Sequence, residues 1–478
     1  MVSRLFTAAL CAVSACSVGA LGAGCHRSQI AQKTIQPASK QAPQKQRLKG
    51  EIVRSARIRD PFPIRMGMVT TRGLGDTGSD DIDAAGTNVQ LGANLETWLA
   101  THCDVLALDA SAITPQTFPR MRSLQKLFTP LLFTYASTIY EQPGHRGSVG
   151  IYSPTMSAWE LKTLSGSVIK HPDAGGHWMD PGNADWANYY AKNAEALARN
   201  YHSDGVIAAE LGPANTFVDY KDTKYSSFPK LVDATASFLQ IVHKPKQFLI
   251  VPSSAGYDTL IGRPTLPVHH ARTEPQLSGR SWDELDRMTD GFWAEGWVRP
   301  YWTVADVPEN FWEMHEEAAD RAGRMPDNVL TADIFIAAYA YHDAQELEYG
   351  LASYLLASHM QSRLVFQPMP QYPGEPANAG MSARVMRREF ERYKQYFDAP
   401  LGIALQERHE VVLNGNSVWR RRFQNGDVYL NSHDQGNCLV SLAAPMMTLD
   451  GQQVKTFELG PHTAKILYNQ LPADQKSN

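Results

Sequence analysis

Cysteine is scarce in this sequence and badly placed for cross-linking. Of 478 residues five are cysteine, and Cys11, Cys16 and Cys25 all fall in the leader. Only Cys103 and Cys438 remain for the body, in segments assigned to different domains. That excludes a disulfide framework and a metal cluster by cysteine spacing. A charge excess of either sign is also missing, since the net charge is −4, so no nucleic-acid partner is expected. There is no P-loop, no G-x-S-x-G elbow and no H-E-x-x-H pair, which removes the usual signatures of phosphate binding, serine hydrolysis and zinc proteolysis. The pair His269-His270 has no third ligand at metal spacing. No internal repeat is visible. The expectation is a protein without metal or cofactor.

What is present is ordinary bulk and an uneven distribution of rings. Hydrophobic residues make up 43% and charged residues 20%, enough for a large core. Eight of the ten tryptophans precede residue 303, several of them beside turns. The N-terminal stretch MVSRLFTAALCAVSACSVGALGAGC has one early basic residue, Arg4, then a run of small and apolar residues. It is expected to be an export signal over 1–25, because the polar run after Cys25 leaves no stop-transfer pattern. Cys16, in Val-Ser-Ala-Cys, fits a lipobox locally; Cys25 leaves a more typical leader length and is preferred as a lipid anchor to the membrane. Residues 26–50 are rich in Gln, Lys, Ala and Pro without apolar period and are expected to be a flexible tether.

From residue 51 short apolar runs alternate with amphipathic stretches. The runs are 64–70, 103–110, 130–137, 204–211, 246–254, 290–297, 328–339 and 362–369. Their apolar residues are consecutive, as in strands buried on both faces. Helical spacing places Trp186, Tyr190, Leu197 and Tyr201 on one face, then Phe311, Met314, His315 and Ala318, then Leu347, Leu351, Tyr354 and Leu355. Eight strands alternating with helices predict an α/β fold, a (β/α)8 TIM barrel over 51–405. A doubly wound open sheet is the alternative. After about 410 the pattern becomes antiparallel. Asn425-Gly426 separates two strand-like runs, and a small β-sandwich-like domain is expected over 406–478.

In such barrels chemistry gathers at the C-terminal strand ends. Asp109 ends the second run, Glu210 the fourth and Glu295 the sixth, while Asp333 lies within the seventh. Glu295 sits in DGFWAEGWVRPYW among Phe292, Trp293, Trp297, Tyr301 and Trp302. Sugars stack their C–H faces on aromatic rings, and two carboxylates cleave glycosidic bonds. Rings around a carboxyl also raise its pKa toward that of a general acid. The candidate acids are therefore Glu295, favoured as proton donor, and Glu210. Trp178, Trp293, Trp297, Trp302, Asp109 and Asp180 are candidates for binding substrate. The plainer assignment makes such acids helix caps or partners of an arginine such as Arg299, and such tryptophans core.

Three blocks carry a resemblance. HWMDPGNADWANYYAKNAEALARNYHSDGVIAAE, DGFWAEGW and VWRRRFQNGDVYLN resemble, in order and spacing, blocks of bacterial TIM-barrel glycoside hydrolases, the "hypothetical glycosyl hydrolase" group related to the endo-α-1,4-polygalactosaminidase type. The resemblance spans roughly 64 to 467. It implies a barrel that cleaves a poly- or oligosaccharide, with Asp204-Gly205 and Asp290-Gly291 opening two strands and Glu295 at the family's acid position. Asp180 matches the family's Asp-Pro turn. One departure stands out: the family's first acid lies five places after the Asp, where this chain has Ala209, and Glu210 is one place later. A one-residue slip reverses side-chain direction in a strand, though a bulge at the strand end restores it. That departure motivates a second expectation, a non-catalytic carbohydrate-binding or cell-envelope scaffold. A metal-dependent hydrolase is a third.

Overall fold

The computed structural model describes residues 64, 66–70, 93–110, 113–124, 131–137, 139–140, 154–170, 177–209, 220–243, 249–252, 288, 293–297, 334–337, 343–358, 365–367, 383–433 and 435–469. The leader, the tether, Asp333, His269-His270 and the helix expected around Phe311 lie outside the described residues. No helix among the described residues is long and apolar enough to cross a membrane.

Each of the eight apolar runs holds a parallel strand. They are β1 (Gly67–Thr70), β2 (Val105–Asp109), β3 (Leu131–Ser137), β6 (Gly205–Ala209), β7 (Leu249–Pro252), β8 (Trp293–Trp297), β9 (Ile334–Ala337) and β10 (Val365–Phe366). Between β3 and β6 the chain also forms a short antiparallel pair, β4 (Ile139–Tyr140) with β5 (His177–Trp178). The parallel strands pair as β1-β2-β3-β6-β7 and as β8-β9-β10. A parallel bridge between Met66 and Phe366 joins the two sheets. The full order is thus sixth, seventh, eighth, first, second, third, fourth, fifth. This is the order of a barrel cut open between its fifth and sixth strands. Among the described residues no pairing spans that cut.

Helices cover the outer side: α1 (Ala93–His102), α2 (Thr117–Leu124), α3 (Ala184–Asn200), α4 (Phe228–Val242), α5 (Ala344–Ala357), α6 (Ala383–Arg392) and α7 (Lys394–Phe397). Asn183 caps α3, accepting from the backbone N–H of Asp185 at 3.0 Å and of Trp186 at 3.2 Å, which satisfies two of its four open donors. Its packed stripe runs through Trp186, Tyr190, Ala191, Ala194 and Ala198, with Leu197 and Tyr201 only half-buried. The small alanines let α3 and α4 approach Val206 and Ala208 on the outer face of β6. Ile207, buried between them in sequence, belongs to the opposite face.

The chain ends in a six-stranded antiparallel sheet of β11 (His409–Leu413), β12 (Asn416–Phe423), β13 (Gly426–Asn431), β14 (Cys438–Thr448), β15 (Gln453–Leu459) and β16 (Thr463–Tyr468), in the order β11-β12-β13-β16-β14-β15. Val418 and Tyr429 on one half share a core with Cys438, Val440 and Met446 on the other. The sheet therefore curls over itself, and every residue of β13 is buried. Its other face lies on α5, whose residues from Leu347 to Ala357 are all buried. A helix buried around its whole circumference over about three turns is covered on all sides.

The turn at Asn425-Gly426 differs by one residue from the sequence expectation. Phe423 pairs with Gly426, so Gln424 and Asn425 form the loop. Gly426 is required for another reason: a Cβ there would stand 2.2 Å from the Leu467 carbonyl oxygen. The hairpin with two left-handed residues is instead at Asn414 (φ 52°) and Gly415 (φ 89°), between β11 and β12, as a type I′ turn requires.

Candidate active site

The C-terminal strand ends were expected to carry the chemistry. Two of the expected acids lie in described strands there. Asp109 is the last residue of β2, in register with Ile207 of β6 through Tyr135 of β3. Glu295 lies in β8. Ala294 pairs with Phe335 and Trp297 with Ala337, so Glu295 and Gly296 together stand opposite the single Ile336. That is a β-bulge, and bulges at strand ends re-aim side chains. Gly296 supplies the flexibility such a kink needs. Ala209 is the last residue of β6. Glu210 and Trp302 lie outside the described residues, and Trp293 and Trp297 are placed as strand positions flanking the bulge.

The acids that open strands sit at the other end. Asp204, one residue before β6, is 3% exposed. It accepts from the backbone N–H of Leu132 at 3.0 Å and from Arg122 Nη2 at 3.0 Å. Arg122 also donates to the His202 carbonyl oxygen at 2.6 Å. The Asp-Gly start of this block is thus a clamp between neighbouring strands at the N-terminal face, where such polar contacts serve stability.

The segment leaving the C-terminal end of β3 builds a small lobe through β5 before α3 begins. Trp178 was expected as a sugar platform. Its ring is 6% exposed and packs among Leu161, Tyr225, Leu231 and Ala234. It forms the centre of this lobe and offers no open face. Asp180 follows as the corner of an Asp-Pro-Gly-Asn turn. Its carboxylate accepts from Tyr225 Oη, Lys224 Nζ and, at 3.0 Å, the Gly182 N–H. Burial first, then the bond to Asp180, push the Tyr225 phenol well above its ordinary pKa, so it stays a donor. A Cβ on Gly182 would stand 2.5 Å from Tyr225 Oη. Asp180 therefore shapes the entry to α3. Glu160 and His177 pair at 2.5 Å in the same lobe. Trp159, which the sequence argument left out, is half-buried against Tyr189 at 5.4 Å and Trp186 at 6.4 Å. Its signal was a tryptophan just before an acid, outside any apolar run.

Among the described residues no group of three His, Cys, Asp or Glu side chains could hold a metal ion. Cys103 and Cys438 form no disulfide and are both buried. The run GLGDTG (73–78) directly after β1 matches G-x-G-x-x-G and lies outside the described residues. The dinucleotide fold that uses this pattern orders its strands 3-2-1-4-5-6, whereas here the first three strands and the fourth run in sequence order.

No protein-family model matches this sequence, and no curated protein matches it. Among solved structures the chain is similar to the glycoside hydrolase domain of PelA from Pseudomonas aeruginosa, with 14% identity over 60% of this chain and 92% of that one, at a TM-score of 0.37. It is also similar to an α-amylase from Geobacillus thermoleovorans complexed with acarbose (10% identity, 84% of this chain, 97% of that one, TM-score 0.42). A pullulanase from Anoxybacillus sp. LM18-11 complexed with maltotriose gives 8% identity, 81% and 64% coverage and a TM-score of 0.43.

Proposed function

We propose that this chain is an exported glycoside hydrolase that cleaves a poly- or oligosaccharide with carboxylates at the C-terminal mouth of a closed (β/α)8 barrel. The strand order supports closure. A sixth strand that lies beside the seventh, with the eighth beside the first, comes next to the fifth by a short path only on a cylinder. Chemistry at the C-terminal end is the rule for that fold.

The observation that carries the proposal is the β-bulge at Glu295-Gly296, flanked in sequence by Trp293 and Trp297. A glutamate at a bulge near the strand end, between tryptophans, suits a proton donor to a glycosidic oxygen. Glu210, one step past the end of β6, is its expected partner by sequence. Trp293, Trp297 and Trp302 are the sugar-stacking candidates. The leader supports export and attachment through Cys25 or Cys16. The three sequence blocks support a kinship with the polygalactosaminidase-related group.

The test is E295Q in the full chain. Wild-type protein and variant are incubated with a panel of bacterial and plant polysaccharides, and new reducing ends are counted. Loss of about a thousandfold or more in turnover, with an unchanged melting temperature, is expected. Equal turnover in both proteins removes Glu295 from the mechanism. Binding of a polysaccharide by wild type without any product favours the scaffold reading, which the alanine at 209 motivates.

A further inference from the structure

Ala209, the last residue of β6, carries no carboxylate, and register shows which other described strand brings one to the level of Glu295. The bulge at Glu295 stands opposite Ile336. Phe335 pairs with Phe366, which carries that level to Gln367. The Met66–Phe366 bridge carries it to Gly67, and Gly67 pairs with Val105 of β2. Pairing lines run perpendicular to the strands, and the strands of an eight-stranded barrel with a shear of 8 are tilted. Each step to the next strand in chain order therefore drops one residue, and equal height is regained by counting one residue onward. Four steps separate β8 from β2 by this route. The position at the height of Glu295 is thus Asp109.

The same count reaches β6. Asp109 is in register with Ile207 through Tyr135, and two further steps give Ala209. Asp109, Ala209 and Glu295 lie on the second, fourth and sixth strands. Side chains in these barrels form layers of four drawn from alternate strands, so the three share one layer, the last before the mouth. Backbone alternation agrees. Leu106 and Leu108 of β2 and Val206 and Ala208 of β6 pack against helices, so positions 109 and 209 fall on the face turned to the barrel axis. The layer below holds Ala107 and Ile207, both fully buried, and closes the barrel beneath it.

We infer that Asp109 is the second carboxylate of the site and that hydrolysis proceeds with inversion. This rests on the hydrolase reading above. The second and sixth strands are diametrically opposed. Eight strands about 4.8 Å apart, tilted by about 36°, give a cylinder about 15 Å across. Acids on strands facing each other across that span fit the wider of the two separations that carboxylate pairs adopt. Retaining pairs stand about 5–5.5 Å apart and inverting pairs roughly 6.5–9.5 Å, with room for water. In the step itself Glu295 gives its proton to the glycosidic oxygen as the bond from that oxygen to the anomeric carbon breaks. Water attacks the same carbon from the opposite side and loses one proton to Asp109. The products are an alcohol and a sugar hemiacetal of inverted configuration. Glu295 is left ionised and Asp109 protonated, and exchange with solvent restores both.

The experiment uses the full chain and whichever polysaccharide of the panel wild type cleaves. Initial rates are compared for wild type, D109N and E295Q, with melting temperatures for each, and the first-formed anomer of the wild-type product is read by proton NMR. Expected are losses of about a thousandfold or more in kcat for D109N and E295Q with KM nearly constant, and an inverted product. If E295Q is inactive while D109N keeps more than a tenth of wild-type turnover, the role of Asp109 is overturned and the hydrolase reading stands. A retained anomer also overturns it, and that measurement holds even if D109N fails to fold. If wild type cleaves nothing, or both variants match it, the hydrolase reading falls and takes this inference with it.

Discussion

The guanidinium of Arg421, on β12 of the terminal sheet, donates from Nη1 to the carbonyl oxygen of Leu355 at 2.8 Å, in the last turn of α5. The same nitrogen reaches the carbonyls of Ser358 and, at 3.4 Å, Leu356. Nε adds the Gln406 carbonyl at 3.1 Å. The last carbonyls of a helix have no partners within it and carry its negative end. Here an arginine from another sheet supplies both the donors and the charge, and it is 1% exposed. Its ion pair with Glu407 at 3.8 Å, where Glu407 is 66% exposed, adds little.

R421A should therefore destabilise the whole fold by about 3 kcal/mol or more, because it leaves buried carbonyls unpaired and opens a void. R421K should recover only part of this, since an ammonium lacks the planar fork. Urea unfolding followed by tryptophan fluorescence checks both. A separate early transition for the terminal sheet in R421A would show that this contact couples it to α5 and the parallel strands; an unchanged midpoint would show that the contact is idle.

Two glycines of the terminal sheet should respond differently to alanine. At Gly426 a Cβ would stand 2.2 Å from the Leu467 carbonyl oxygen and 2.5 Å from Leu401 Cδ2. Backbone cannot yield there without breaking the β13–β16 ladder, so G426A should cost about 2 kcal/mol or more. At Gly415 nothing lies within 4 Å and only the φ of 89° resists a side chain. G415A should cost about 1 kcal/mol. Equal melting temperatures for the two variants would contradict the crowding argument.

Asp204 should matter for folding and not for turnover. It is held by Leu132 N–H and Arg122 at the N-terminal face, a full strand length from Glu295. D204N keeps the shape and one acceptor but loses the charge opposite Arg122. A cost of about 1.5–3 kcal/mol is expected, with kcat per folded molecule unchanged. A large fall in kcat at an unaltered melting temperature would move the Asp-Gly motif into the chemistry.

Much of this architecture was legible because burial on both faces writes itself as unbroken apolar runs. All eight runs hold a parallel strand, and the 3.6-residue period marks α3 and α5. The site was less legible. Trp178 reads like an exposed ring beside a turn, yet the excursion through β4 and β5 gives it a core of its own, which no local pattern announces. Arg421 is the middle of three consecutive arginines, and such a run looks solvated. Only β12 pairing shows that alternate side chains take opposite faces and that one reaches the last turn of α5. The proposed pairing of Asp109 with Glu295 depends on register summed over five strands, and sequence spacing of 186 residues carries no trace of it.

Glu348 on α5 gives the fold a pH dependence of defined sign. It is 4% exposed and accepts from the Ile466 N–H at 2.8 Å and Lys465 Nζ at 3.1 Å. Burial outweighs both and raises its pKa above the ordinary 4.5, with Asp450 adding to the rise. The folded state therefore holds this proton more tightly than the unfolded chain does. Stability from this group is fully present below pH 4.5 and is lost as pH rises through the elevated folded value. E348Q keeps an acceptor for Ile466 and removes the titration, while Lys465, 34% exposed at its side chain, can turn to water. The variant should be as stable as wild type or more so at neutral pH, and the difference should shrink toward pH 4.5. Urea midpoints across that range measure it; a variant that loses stability most at neutral pH would show that the pair with Lys465 outweighs the cost of burying the charge.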